Sequence, residues 1–220
     1  MMPRTYFHPL LAFSVIGLAV VLGIAPAQNA AASPPTLPGK YNQVLDIGSV
    51  APEWEPLPAT DGKQYGSDDL GGAEVTVIVF TCNTCPYAID YEERLQALQS
   101  RFADDDRVSV VAINSNAIPA DSLEAMRERV NEREFTFLYL KDENCELAEK
   151  FGAVRTPEWF VLNRDRKVVY MGAFDDETDS TKVERHYVED AIESVLEKAP
   201  LETAETPPVG CLIRRPRRRR

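Results

Sequence analysis

The sequence predicts a three-layer α/β/α sandwich in which helices cover both faces of a mixed central sheet. Short apolar runs rich in β-branched residues, typical of strands buried on both faces, alternate with segments in which apolar residues recur every three or four positions. Near the end of the domain, two strands follow each other across a short turn, before a closing helix. Helical crossovers give parallel strands and the direct turn gives an antiparallel pair, so the sheet is expected to be mixed.

The elements are predicted in order along the chain. An extended segment over 51–58 and a turn over 60–63 precede the first buried strand. The second helix begins at Asp121, which with Glu124 fits a capping box, and Pro157 fits the first position of a strand. The strands are predicted at 75–80, 108–113, 135–140, 158–162 and 167–172, and the helices at 86–102, 121–130, 144–151 and 183–199.

The first 32 residues have the features of a secretory signal peptide. Arg4 supplies a positive start, an apolar run of 16 residues extends from Leu10 to Ala25, and small residues suited to cleavage follow. We therefore expect an exported protein, periplasmic or extracellular, with an uncleaved N-terminal membrane anchor as the alternative. A linker over 33–44, one domain over 45–200 and a disordered tail over 201–220, Pro-rich and then Arg-rich, complete the predicted organisation.

Charge and cysteine content narrow the classes of function. The chain has 35 acidic and 24 basic residues, a net charge of −11, and this excess of negative charge argues against nucleic acid as a partner. All four cysteines follow the predicted signal, where disulfides persist. Only His186 remains after the signal, so a histidine-rich metal site is not expected, and no fingerprint of a cofactor-binding loop is found.

The most informative motif is Cys82-Asn83-Thr84-Cys85-Pro86. It closes a predicted buried strand and opens a predicted helix. Two cysteines three positions apart can close a small disulfide ring, and the N-terminus of a helix favours sulfur as the thiolate. Proline is favoured at the first helical position, which would make Cys85 the N-cap. The motif predicts thiol–disulfide redox chemistry and leaves open which cysteine attacks first.

Several segments together resemble a known family. They lie at 47–54, 61–63, 80–87, 112–116 and 208–211. With Thr156-Pro157 about 70 residues after the two cysteines, they resemble the redoxin branch of the thioredoxin fold, the alkyl hydroperoxide reductase/thiol-specific antioxidant family, and its peroxiredoxin-like bacterial members. The resemblance covers residues 45–200 and the Gly210-Cys211 pair, and it implies a thioredoxin-like sandwich.

The resemblance also implies a catalytic site formed by Cys82, Cys85 and Pro157. Cys82 would attack a substrate disulfide, and Cys85 would resolve the mixed disulfide. Thr156-Pro157 resembles the cis-proline loop that faces the cysteines in this fold, so Thr156, Asn83 and Thr84 are expected to form the substrate loop. The expected partners are protein or small-molecule disulfides, together with an external thiol reductant or oxidant.

Two further cysteines and two other chemistries stay open. Cys145, in a predicted short helix, and Cys211, in the tail, are candidate auxiliary redox thiols, and Cys211 could resolve a disulfide or pair with Cys145. A Cys-Pro pair that opens a helix also resembles the peroxidatic site of peroxiredoxins, which reduce hydroperoxides, although that family has threonine where this chain has Cys82. The weakest alternative is a copper-binding module that uses His186 with both motif cysteines.

Overall fold

A five-stranded mixed sheet forms the centre of the domain in the computed structural model, which describes residues 39–216. The predicted signal peptide over 1–32 lies outside the described residues. The strands are β1 Leu57–Pro58, β2 Gln64–Tyr65, β3 Val75–Thr81, β4 Val108–Asn114, β5 Leu138–Lys141, β6 Arg155–Thr156, β7 Glu158–Asn163, β8 Val168–Gly172 and β9 Cys211–Leu212. The helices are α1 Pro86–Asp90, α2 Glu92–Arg101, α3 Leu123–Arg133, α4 Glu146–Phe151 and α5 Tyr187–Glu197.

The strand order in the central sheet is β5-β4-β3-β7-β8. Strands β3, β4 and β5 are parallel, while β7 is antiparallel to β3 and β8 is antiparallel to β7. The mixed sheet is therefore confirmed. Two small pairs lie outside it, the β1–β2 hairpin over the predicted turn and the antiparallel pair of β6 and β9.

Strand β3 is buried on both faces because its side chains alternate between two hydrophobic cores. Val75, Val77 and Val79 point into a core completed by α2, α3 and α5, whereas Ile78 and Phe80 point into a core completed by α4 and the segment 45–59. The three layers predicted from the sequence are thus present, and β3 ends at the centre of the sheet, where it delivers the cysteine motif.

The predicted first helix is divided into α1 and α2 at Tyr91. The Tyr91 backbone has φ −96° and ψ −3°, and its N–H donates to the Ala88 carbonyl three residues earlier. The Tyr91 hydroxyl donates to Asp175 from a distant loop. The break in the helix therefore coincides with a tertiary contact, which the spacing of apolar residues along the helix could not predict.

Other helix and strand boundaries differ from the predicted ones where side chains form hydrogen bonds with the backbone. Ser122, not Asp121, caps α3, since its Oγ accepts the N–H of Ala125. The third strand begins at Leu138, and earlier the N–H of Thr136 donates to a glutamine side chain on α2. The closing helix α5 begins at Tyr187 because the preceding N–H groups over 184–185 donate to Asp176.

The predicted linker and tail are corrected over the residues that the structure describes. Glu205 accepts backbone N–H groups from residues 40–42, so the two ends of the domain are joined. The Met171 N–H donates to the Ala204 carbonyl, the Thr206 N–H donates to the Met171 carbonyl, and β9 pairs with β6. Residues 201–216 are therefore part of the domain, although their composition predicts disorder. Within residues 39–216, no helix is both long and apolar enough to cross a lipid bilayer.

Candidate active site

The two motif cysteines lie in the connection between β3 and α1. Cys82 follows the last residue of β3, and Cys85 is the N-cap of α1, with extended backbone at φ −82° and ψ 121°. Pro86 occupies the first helical position, where it lacks an N–H that would be unpaired in any case. Each cysteine is 2% exposed, so little of either side chain is open to solvent.

The Thr156–Pro157 peptide bond is cis and faces the two cysteines. Cys82 Sγ lies 3.3 Å from Thr156 Oγ1. Cys85 Sγ lies 3.0 Å from the Thr156 carbonyl oxygen, which accepts the S–H of the protonated thiol. A narrow cleft beside Cys82 is lined in part by Pro157 and Trp159. The structure therefore brings together the predicted catalytic trio of Cys82, Cys85 and Pro157, with Thr156 in contact with both sulfurs.

Cys211 joins the two motif cysteines from the C-terminal strand. In the β6–β9 pair, Cys211 lies opposite Thr156, and its side chain packs on the small apolar cluster that contains Cys82 and Cys85. The thiol and the backbone N–H of Cys211 both lower the pKa of Cys85. Three of the four cysteines thus form one group, and in this structure all three are free thiols.

The hydrogen bonds within this group give the thiols different acidities. The Cys82 thiol, then the Cys211 thiol and the N–H groups of Ala88 and Cys211, stabilise a Cys85 thiolate against the cost of burial and lower the pKa of Cys85 to about 4. The pKa of Cys82 is raised, first because its thiol is hydrogen-bonded to Cys85 and then because it is buried. The lowered pKa of Cys85 therefore favours its thiolate, against the Thr156 carbonyl that accepts the S–H of the thiol, whereas the family resemblance assigned the attack to Cys82.

Asp121 holds the loop between the two cysteines. Its carboxylate, fully buried, accepts from the Asn83 N–H at 2.7 Å and from the Thr84 hydroxyl at 2.8 Å. It also accepts from the side-chain amides of Asn114, at 3.1 Å, and Asn116, at 3.0 Å. Asn83 and Thr84, predicted to face substrate, are therefore tied inward to this carboxylate.

Sequence reasoning missed this role of Asp121, which it interpreted as a helix cap. The signal that was available is the pair Asn114 and Asn116 at the carboxyl end of β4, beside the strand that carries the cysteines. Side chains at that edge of neighbouring parallel strands lie close together. Tyr139 and Lys141 of β5 extend the network, since they donate to Asn83 Oδ1 and to the backbone carbonyls of 114 and 116.

Glu158 is a second residue that sequence reasoning did not identify. It follows Pro157 directly and is 3% exposed, and its Oε2 accepts the N–H groups of Val154 and Arg155. Burial raises the pKa of the Glu158 carboxyl to about 7, against the opposite effect of those two hydrogen bonds. Glu158 therefore fixes the approach of the chain to Thr156–Pro157 and titrates near neutral pH.

Cys145, the other candidate auxiliary thiol, is separate from this group. It is fully buried in the core on the α4 side, where its thiol donates to the Ser115 carbonyl at 2.6 Å. Burial, first, and the neighbouring Asp142 raise the pKa of Cys145 to about 11. Of the two candidates, the structure therefore brings Cys211 to the site and places Cys145 in the core.

His186, the copper-ligand candidate, lies at the start of α5 with its Nδ1 3.1 Å from Glu189 Oε2, on an exposed surface. Among residues 39–216, no group of three or more His, Cys, Asp or Glu side chains has an arrangement that would hold a metal ion. The structure gives His186 no contact with the motif cysteines, so the copper hypothesis is without a ligand set in the described part of the chain.

Comparisons with known proteins agree with this architecture. The family model named Redoxin matches residues 46–191. An uncharacterized conserved protein from Geobacillus kaustophilus is 32% identical, with 79% of this chain and 94% of that chain covered and a TM-score of 0.72. A hypothetical protein from Sinorhizobium meliloti is 28% identical, with 80% and 97% covered and a TM-score of 0.73. No curated protein matches the chain.

A more distant structure supports the fold alone. A peroxidoxin from Mycobacterium tuberculosis is 20% identical, with 70% of this chain and 98% of that chain covered and a TM-score of 0.54. Together with the family match and the strand order, this likeness confirms the predicted thioredoxin-like α/β/α sandwich.

Proposed function

Because the chain belongs to the Redoxin family, we propose that it is an exported thiol–disulfide oxidoreductase that reduces protein or small-molecule disulfides through Cys82 and Cys85. The observation that carries the proposal is the arrangement of these two thiols at the start of a helix, with Thr156 of the cis peptide bond in contact with both sulfurs. The predicted signal peptide supports export.

In the proposed reaction, Cys85 attacks first. Its thiolate bonds to one sulfur of the substrate disulfide, the substrate S–S bond breaks, and the departing sulfur takes up a proton. Cys82 then loses its proton and attacks Cys85 Sγ, which releases the second substrate thiol. The substrate has gained two electrons and two protons, and the protein holds a Cys82–Cys85 disulfide, which an external dithiol reductant returns to the reduced form.

The lowered pKa of Cys85 suits it to this first step. An ordinary thiol, with a pKa near 8.5, is only a few per cent ionised at neutral pH. At Cys85, whose pKa is about 4, the reactive thiolate is already the main form at pH 7. The raised pKa of Cys82 keeps the second sulfur protonated until it is needed, so the two cysteines are differentiated before substrate arrives.

Reduction of insulin disulfides with dithiothreitol as the electron source tests this function. We expect turbidity from insulin reduction with the wild type and only the uncatalysed rate with Cys85→Ser. Cys145→Ser is the matched control, since that thiol lies in the core away from the site, and it should retain the wild-type rate. Full activity of Cys85→Ser would overturn the proposal.

One observation favours a second candidate, the reduction of hydroperoxides. Cys85 is a helix N-cap followed by Pro86 and has a strongly lowered pKa. Its thiolate would attack the terminal peroxide oxygen, breaking the O–O bond to leave an alcohol and a Cys85 sulfenic acid, with which the Cys82 thiol would condense to release water and form the same disulfide. Oxidation that is fast at micromolar peroxide, without insulin reduction, would select this candidate.

A further inference from the structure

The C-terminal strand is fixed against the candidate site by several independent hydrogen bonds. The N–H of Ile213 donates to the Val154 carbonyl at 3.0 Å, and Arg155 Nη1 donates to the Gly210 carbonyl at 2.6 Å. On the other side, the Arg214 N–H donates to Asn116 Oδ1, and the Arg214 carbonyl accepts the N–H of Ala117. Residues on both sides of Cys211 are therefore held, so the backbone that carries its thiol is fixed beside the site.

Gly210 permits the close approach of this strand to the cis-proline loop. Its φ is +152°, and a Cβ at that position would lie 2.0 Å from the Thr156 carbonyl oxygen, a distance that no side chain tolerates. The residue directly before Cys211, where the C-terminal segment touches the cis-proline loop, is thus a glycine. This packing places Cys211 opposite Thr156, whose carbonyl oxygen is 3.0 Å from Cys85 Sγ.

We propose that Cys211 is a second resolving thiol, which takes the disulfide over from Cys82 as a Cys85–Cys211 bond. The inference rests on the proposed function, since it begins from the Cys82–Cys85 disulfide. The Cys211 thiol loses its proton and attacks Cys85 Sγ, the Cys82–Cys85 bond breaks, and Cys82 leaves as a thiolate that takes up that proton. One disulfide is exchanged for another, so the step needs no further oxidant or reductant.

The exchange changes which sulfurs are accessible to a recycling thiol. Cys82 and Cys85 are each 2% exposed, whereas Cys211 is partly exposed. In the Cys85–Cys211 state, the oxidised pair therefore includes a sulfur that lies nearer to solvent. An external dithiol would attack Cys211 Sγ, release Cys85 as the thiolate, and close its own disulfide as the Cys211 thiol is restored.

The Cys82→Ala full-length protein, treated with oxidised glutathione, tests the proposal. Cys85 attacks the reagent and acquires one glutathione, and Cys211, in contact with it, then displaces that glutathione. Because thiols in one chain react at an effective concentration of millimolar or more, the adduct should be at least about tenfold less abundant than in Cys82→Ala/Cys211→Ser. Intact mass and non-reducing peptide mapping should show a Cys85–Cys211 link in place of the adduct.

Two comparisons keep the result interpretable. Cys82→Ala/Cys145→Ser should form the same internal link, since Cys145 lies in the other core, and circular dichroism of the reduced variants checks that each is folded. A stable glutathione adduct on Cys85 with Cys211 free, in folded Cys82→Ala, would overturn the proposal. Failure of the wild type to reduce insulin would overturn the proposed function, and it is measured separately from the internal link.

Discussion

Replacement of Glu158 by glutamine should stabilise the protein at alkaline pH and have little effect in acid. The Glu158 carboxyl is buried directly after Pro157, and its Oε2 accepts two backbone N–H groups. Glutamine has nearly the same shape and its Oε1 can accept the same two hydrogen bonds, but it carries no charge. The substitution therefore isolates the cost of burying the ionised carboxylate.

The magnitude and sign follow from the pKa of this group. Burial raises the pKa from its ordinary value of 4.5 to about 7, so the folded state binds the proton more tightly than the unfolded chain, and wild-type stability falls as the pH rises between these two values. At pH 8.5 both states are ionised, and the cost is about 3 kcal/mol, or roughly 6–12 °C in Tm for a domain of this size. At pH 5 it is below about 1 kcal/mol.

Urea unfolding of wild type and Glu158→Gln at pH 5 and pH 8.5, followed by far-UV circular dichroism, measures this difference. Glu55→Gln, on an exposed segment, is the matched control and should change neither free energy of unfolding. An equal effect of Glu158→Gln at the two pH values would refute the reasoning, because a purely steric or hydrogen-bonding effect does not depend on the ionisation of residue 158.

Two further predictions concern the thiol loop. The Asp121 carboxylate accepts four hydrogen bonds, and Asp121→Asn would place an amide NH₂, itself a donor, against some of those donors. This substitution should lower the free energy of unfolding by about 3 kcal/mol and slow insulin reduction. The control Asp104→Asn, on an exposed turn, should do neither, and equal stability of the two variants would contradict the role assigned to Asp121. Iodoacetamide at pH 5.5 should modify Cys85, with its pKa of about 4, and spare Cys145, with its pKa of about 11. Peptide mapping measures the alkylation of each cysteine. The same dependence of alkylation on pH at both cysteines would count against a Cys85 thiolate.

The central strands and the cysteine pair could be predicted because their signals are local. Strands β3 and β4 are continuous apolar runs, and the motif that begins at Cys82 stands at a visible junction of strand and helix. Thr156-Pro157 could be placed opposite the cysteines only through the family resemblance, since nothing local to those two residues records what they face.

The features that were missed depend on contacts between distant parts of the chain. The donors to Asp121 come from two separate stretches, at 83–84 and 114–116, so its spacing to Glu124 suggested a cap instead. Strand β9 is short and lies in a Pro- and Arg-rich segment, and it becomes a strand only because β6 supplies its hydrogen-bond partners. The break at Tyr91 accompanies a bond to Asp175, about 80 residues away.

The docking of β9 has a practical consequence for any shortened version of this protein. A chain that ends at residue 208, chosen because the remaining sequence is rich in proline and arginine, would lose the partner of Thr156 and one of the three clustered sulfurs together. The truncation would expose the backbone edge of β6 beside the two motif cysteines. Cys85 would then have Cys82 as its one neighbouring thiol. Measurements on such a fragment would describe a site with two thiols, and an affinity tag is better placed after the predicted signal peptide.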